Sequence, residues 1–441
     1  MGGSIFLRPR SILCNVTEAT VDNAAPDGLR HWLHVRWRLA YFTALLGLLL
    51  YLGRAVVQVL LIRQETPFQD FPQFYNAAVQ LNLGHSPYTA FLTACPGHHW
   101  CLGGYIYPPL LAELLRPLAL LDETTAALIW VGLSHLMLLG AAIIAYRTVA
   151  RWLSRGAGPL LAAASLFFLP LYQSLHAEQV GTMLLLILAI GAHAFVRRGG
   201  RAGAGLALAI GSVLRVSPAA MAPLLLRTRQ DRRRPVGLLV MAVSGVAVLA
   251  LLYLLTPSTV EYFREVLPRV SSGTGVPGNV SLPGALIRIE ILATGSAWSL
   301  TNGLDTLILA AAVGITWWGC RGRDDARFRA AAFAAFLAVI PVASALTWNY
   351  HLINELLVYA LLAPSLIVGT RAWWLAVASY PLLWLYGDGM LLTFGINRGS
   401  LLGAAAFLVV TSVNLVGAVL LWLASLDVLA RLRADQPHPA I

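Results

Sequence analysis

Residues 201–226, RAGAGLALAIGSVLRVSPAAMAPLLL, place one arginine, Arg215, at the centre of an apolar run and follow it at once with Ser217-Pro218. An apolar run of this length ordinarily reads as one transmembrane helix of about 20 residues. Arg215 and the Ser-Pro step argue against that here. A charge at mid-bilayer is costly, and proline both removes a helix hydrogen bond and disfavours the α conformation of its predecessor. The segment therefore reads as two short helices that meet at Arg215 and return to the side they started from. Whether it returns or crosses sets the side of every later loop.

Apolar runs flank this hairpin in both directions, at 39–62, 125–146, 158–175, 180–196, 235–256, 298–320, 330–346, 351–369, 372–387 and 400–425. Of the 441 residues, 58% are hydrophobic and 12% are charged, with a mean hydropathy of +0.72. A soluble domain carries about 25% charged residues. The composition excludes a soluble enzyme, a disordered chain and a disulfide-rich secreted module. It predicts an all-α polytopic membrane protein of about ten full spans plus the two-half-helix hairpin.

All 31 basic residues are arginine, and the net charge is +11. Basic residues hold loops on the cytoplasmic side. With a returning hairpin, 23 arginines fall on one side and six on the other; with a single crossing the split is 15 to 14. The hairpin wins, with both termini cytoplasmic. This predicts a cytoplasmic segment 1–38, one membrane domain over 39–425 and a cytoplasmic tail over 426–441. No apolar h-region precedes the first span, so that span is expected to direct insertion. The basic balance serves topology, and nucleic acid is not expected as a partner.

Two outer loops follow, 63–124 and 257–297. In the first, Phe71 to Leu81 reads as an amphipathic helix with proline in its first turn and Asp70 at its N-cap. Asp70 is then either only a cap or a carboxylate at the membrane surface able to act as a general base. Residues 108–121 read as an interfacial segment with an aromatic belt, from which Tyr107 can line a pocket. Cys95 and Cys101 bracket Pro96-Gly97-His98-His99-Trp100. A small-loop disulfide is preferred there over a zinc site, whose four ligands need a longer interval.

Further candidates are Arg54, which interrupts the first span, and His176, Glu178 and Gln179 between two spans. Arg54 either snorkels to the outer head groups or meets an anion. Thr347-Trp348-Asn349-Tyr350-His351 precedes Glu355, four residues beyond His351 on the same helical face. His351 reads as a hydrogen-bonding or phosphate-facing residue, because no further metal ligand lies at a recognisable interval. The second loop, with Gly273, Gly275, Gly278 and Asn279-Val280-Ser281, reads as a mobile segment, either a lid or a connector, and carries a glycosylation sequon. Nucleotide-binding motifs are absent.

The order of these blocks resembles glycosyltransferase family 87, the polyprenol-phosphate-mannose-dependent α-mannosyltransferases of GT-C fold. Asp70 to Ala78 with Gly84-His85-Ser86-Pro87-Tyr88 is similar to the family's first-loop pattern, and Tyr107-Pro108-Pro109-Leu110 to its next block. Glu178-Gln179-Val180-Gly181 resembles Gly-Gln-Val-Asn but departs at both ends. Leu214-Arg215-Val216-Ser217-Pro218 matches a block usually written with lysine and threonine. Asn279-Val280-Ser281-Leu282 and Ser344 to Leu352 match the late blocks. Together they span residues 68 to about 360.

The resemblance implies transfer of a sugar, mannose in the first instance, from a polyprenyl-phosphate donor to a glycolipid or glycan acceptor on the extracytoplasmic face of the cell membrane. It implies inversion at the anomeric carbon, with Asp70 as general base. His351, Arg215 and Arg54 become candidates for the leaving phosphate. Tyr107, His176, Glu178, Gln179, Asn279 and Asn349 become candidates for sugar or lipid contacts. No cofactor and no metal are required by this scheme. The alternatives are another lipid-linked sugar, such as arabinofuranose, and a secondary transporter or lipid flippase, since broken helices and buried arginine also occur there.

Overall fold

The structure, a computed structural model, describes residues 27–63, 70–94, 103–153, 156–198, 200–226, 236–256, 258–295, 303–321, 323–385 and 400–435. Its first nine α-helices are α1 (Asp27–Arg63), α2 (Phe71–Asn82), α3 (Thr89–Ala94), α4 (Pro109–Leu115), α5 (Glu123–Val149), α6 (Ala157–Leu166), α7 (Leu169–His176), α8 (Gly181–Arg198) and α9 (Arg201–Leu214). After a 3₁₀ helix over Ser217–Leu226 come α10 (Val236–Leu255), α11 (Ser258–Glu261), α12 (Leu267–Ser271), α13 (Leu282–Thr294), α14 (Leu304–Gly319) and α15 (Ala326–Ala343). A further 3₁₀ turn, Asn349–Asn354, leads into α16 (Glu355–Leu362), α17 (Arg371–Trp384) and α18 (Leu401–Ala434). No strand occurs among the described residues. The chain is an all-α polytopic membrane protein.

Five of these helices are long and apolar enough to cross a bilayer: α1 from Arg38, α5, α10, α15 and α18. A sixth forms if α6 and α7 count as one span bent by 47°. The bend falls at Phe167–Phe168, just before Pro170 in the first turn of α7; proline is a common cause of such kinks. The remaining expected spans are the shorter helices α8, α14, α16 and α17. α15 is the central helix, with 78% of its apolar window buried against 6% for α10 and 11% for α1. Its alanines, Ala330 to Ala332 among them, let neighbouring backbones approach closely.

The decisive segment is a helix followed by a 3₁₀ helix. α9 is about 21 Å long and the 3₁₀ arm about 20 Å, each short of a hydrocarbon core of roughly 30 Å. They break at Arg215, whose backbone is extended (φ −156°, ψ 123°). A Cβ on Gly211 would stand 3.4 Å from Pro218 Cγ, so the chain turns sharply back at the break. The start of α10 lies beside the start of α9: a Cβ on Gly205 would come within 2.1 Å of the Gly237 carbonyl oxygen. α9 and α10 therefore start at the same end of the bundle.

A second layer covers one end of the bundle. Phe71, Phe74, Tyr88, Tyr105, Trp130 and Tyr262 share its hydrophobic core. Tyr105 and Tyr107 belong to this core rather than to an interfacial aromatic belt. The Tyr105 hydroxyl donates to the Pro108 carbonyl (2.7 Å) and accepts from the Ala112 amide (3.1 Å), so its polar end is satisfied inside the layer.

The 258–295 segment departs from expectation. It is largely helical, and Asn279 is fully buried. The Asn279 amide group donates to the carbonyls of Thr274 (2.9 Å) and Ala345 (3.0 Å). Its Oδ1 accepts from the Thr347 amide (3.0 Å) and the Ser281 hydroxyl (2.9 Å). Buried Arg288 donates to the Asn279 carbonyl (2.7 Å). Two of the five bonds of the Asn279 side chain reach residues 345–347, the approach to His351, and the other three hold its own loop. Asn279 is thus a brace for the approach to His351, and the sequon asparagine is closed to solvent.

Candidate active site

Asp70 holds the N-cap position of α2, yet its side chain makes no capping bond. Its carbonyl accepts from the amides of Gln73 (3.1 Å) and Phe74 (3.3 Å), which starts the helix by backbone alone. Asp122 and Ser281 show the contrast: their side chains accept from the amides of Thr125 and Gly284. The Asp70 carboxylate is instead turned inward, where it accepts from the Gln179 amide group and the Tyr350 hydroxyl. Burial pushes its pKa up, and the two hydrogen bonds oppose that only in part. A carboxylate so placed is more basic than an exposed one.

Gln179 is itself oriented, since its Oε1 accepts from the Tyr107 hydroxyl (2.8 Å). Burial raises the Tyr107 pKa, so the phenol keeps its proton and remains a donor. Tyr107, Gln179 and Asp70 thus form a directed chain of hydrogen bonds. The turn that presents Gln179 is unusual. Glu178 has φ +53°, in the left-handed region that favours glycine. The residues on either side of Gln179-Val180 differ in how they fit this turn. Glycine at 178 would relieve that backbone. At 181 a Cβ would stand 2.6 Å from Ser174 Oγ and 3.1 Å from Ile353 Cγ2, so a side chain there would have to displace the serine.

The Glu178 side chain is buried away from the main cavity, and its carbonyl accepts from Trp130 Nε1 (2.7 Å). Burial raises its pKa to about 8 from an ordinary 4.5. Below about pH 4.5 the carboxyl is protonated in both folded and unfolded chains. From there to about pH 8 the unfolded chain loses a proton that the folded one keeps. Stability should fall across that window, by up to about 1.4 kcal/mol per pH unit, and level off above it. Glu178→Gln is expected to flatten the thermal-unfolding midpoint between pH 5 and pH 8 relative to wild type. Identical pH slopes for the two proteins would refute the assignment.

On the facing wall, Arg215 donates a hydrogen bond to His351 Nδ1, which also accepts from the Trp348 amide (2.9 Å). Two donors on Nδ1 place the proton of the neutral ring on Nε2. The buried imidazole holds the guanidinium of an arginine released from helical geometry. Tyr107 and Tyr350 lie close enough to Arg215 to interact with it electrostatically. Among the described residues, no three His, Cys, Asp or Glu side chains gather as a metal site.

These walls enclose a cavity of about 380 Å³, in the size range of small-ligand sites. Asp70, Tyr107, Gln179, Arg215 and His351 line it together. Tyr350, Gln73, Trp348, Tyr262 and Asp305 line it as well, and the sequence reading did not single these out. Tyr350 was findable from its place beside His351; Asp305, inside an apolar run, was not. Apolar lining comes from Val216, Ala219, Ala220, Leu309, Ile340 and Ala343.

Other candidates lie elsewhere. Arg54 and His176 line a separate crevice between α1, α5 and α7. Asn279 is the brace described above, and Asn349 is buried outside the cavity lining. Those positions are set by packing partners distant in sequence, which a linear reading cannot see. Cys95 and Cys101 lie outside the described residues.

No curated protein matches the chain. The model of glycosyltransferase family 87 matches residues 105–346, a stretch holding Tyr107, Gln179, Arg215 and Asn279; His351 lies five residues past its end, and Asp70 lies 35 residues before its start, outside the match. The match covers more than half of the chain, so this integral membrane protein belongs to glycosyltransferase family 87.

Proposed function

We propose that this glycosyltransferase transfers a sugar, mannose in the first instance, from a polyprenyl phosphate to a glycolipid or glycan acceptor on the extracytoplasmic face. The observation that carries the reading is Asp70: an N-cap carboxylate withdrawn from its helix and turned into a cavity whose other wall presents Arg215. Capping would be the simplest use of that residue, and the chain forgoes it.

In the proposed reaction an acceptor hydroxyl attacks the anomeric carbon. The C–O bond to the lipid phosphate breaks, configuration inverts, and the hydroxyl proton passes to Asp70. Gln179 and Tyr350 aim the carboxylate. Arg215 meets the charge that grows on the leaving phosphate. His351 acts through Arg215, as the group that holds the guanidinium. The apolar lining suits an isoprenoid chain next to its phosphate. Arg54 has no part in this scheme, because it lines a different crevice. Membership of a glycosyltransferase family displaces the transporter reading.

The test is incubation of the purified protein with acceptor lipids and a panel of donors: polyprenyl-phosphate mannose, polyprenyl-phosphate arabinofuranose and the nucleotide-linked sugars. Mass analysis should find product from the polyprenyl-phosphate mannose arm. Product only from a nucleotide sugar would overturn the donor assignment, and product only from arabinofuranose would reassign the sugar.

A further inference from the structure

Arg54 sits on the lipid-facing side of α1, exposed among the exposed side chains of Leu50, Leu52, Val56, Val57 and Leu60. It borders a crevice of about 70 Å³ whose polar lining is Tyr51, Arg54, Gln58, His135, Tyr172 and His176. This lining contains two histidines and an arginine and no carboxylate. Arg54 is near enough to Tyr172 and His176 to act on both electrostatically, and no ion pair joins it to a described residue. A cation facing hydrocarbon without an anion is unfavourable.

A second observation comes from His135. Its Nδ1 shares a hydrogen bond with the Tyr51 hydroxyl. With the phenol as donor, the ring carries its proton on Nε2. That Nε2 is buried and has no partner among the described residues. Gln58 is already committed, its amide donating to the Leu175 carbonyl (2.6 Å), and the Tyr172 hydroxyl donates to the Leu166 carbonyl. The crevice lining therefore keeps an exposed guanidinium and, with the phenol as donor, a buried N–H without a partner, and supplies no carboxylate of its own; the Glu178 carboxyl adjoins it only through Gln58.

We propose that this crevice binds the phosphate of an anionic membrane lipid, with Arg54 as the donor, His176 at the rim and the acyl chains along the apolar face of α1. An acyl-linked phosphate fits better than a free ion, because Arg54 opens onto lipid rather than onto the cavity of Asp70. The two sites share no lining residue. The lipid site also does not depend on the proposed reaction. Its occupant would brace the end of α7, which leads through Glu178 to Gln179.

Native mass spectrometry of the purified protein, with phosphatidylglycerol or phosphatidylcholine in mixed micelles, tests this. Wild type should retain phosphatidylglycerol over phosphatidylcholine by about tenfold, undiminished by millimolar inorganic phosphate. Arg54→Gln should lose that preference, Arg54→Lys should keep part of it, and Asp70→Asn should keep it fully. Folding of each variant is checked by its thermal midpoint, and exposed Arg54 should tolerate exchange. Equal retention of the two lipids, an unchanged preference in Arg54→Gln, or displacement of the lipid by inorganic phosphate would overturn the proposal.

Discussion

Asp70→Asn is expected to lower sugar transfer by about 10²- to 10⁴-fold, the range over which a positioned general base acts, while the protein stays folded in the membrane. The substitution is nearly isosteric. α2 begins with backbone bonds from Gln73 and Phe74 to the carbonyl of residue 70, and these do not involve the side chain. The asparagine carbonyl can still accept from Gln179 or Tyr350. What is lost is the ability to take a proton from the acceptor hydroxyl. Product is measured by mass analysis, and integrity by gel filtration and thermal midpoint in detergent. Wild-type turnover in this variant would sink the mechanism. A non-enzymatic scaffold would likewise be indifferent to the change.

The second large effect is expected at Arg215. Arg215→Gln should reduce turnover by about 10²- to 10³-fold, comparable to removing one donor from a preorganised anion site. Arg215→Lys should stay within about tenfold of wild type, because the similar family block carries lysine there and the charge is kept. Lysine is a point charge on a flexible stem, whereas arginine offers a planar fork that His351 can hold. His351→Gln should therefore weaken transfer more in the wild-type arginine background than in the lysine background. Rates of the single and double variants at saturating acceptor measure this. Equal loss in Gln and Lys variants would show that geometry, and not charge, is what Arg215 supplies.

The blocks that brought these residues forward were legible as local chemistry. Asp70 followed by Phe71-Pro72 announces a helix start, and Arg215 before Ser217-Pro218 announces a break. Their meaning was not legible in the same way. An aspartate before a helix is a cap in most settings, and only the absence of a capping bond separates it from one. Asn279 looks equally chemical, in a glycine-rich segment with a sequon, yet it is a buried brace with five side-chain hydrogen bonds. Its partners at 274, 281, 345 and 347 converge only when α13 packs beside the turn that follows α15. The sequence of 257–297 reads as mobile for the same reason: glycine content reports local freedom, not the tertiary bonds that Asn279 makes.

Arg54 and Arg215 make the division clearest. Both are single arginines in apolar runs, and composition treats them alike. Arg215 falls at a break between two arms of about 20 Å, on the inside of the bundle beside His351. Arg54 lies on an unbroken helix that faces lipid. The sequence by itself determined the all-helical membrane class, because scarce charge and recurrent apolar runs leave the backbone no other way to satisfy its hydrogen bonds in hydrocarbon. It also determined the break at 215, which is written in adjacent residues. Tertiary structure alone decided which polar residues share a cavity. Convergence of Asp70, Gln179, Arg215 and His351 depends on contacts more than a hundred residues apart, and no local period or spacing encodes those.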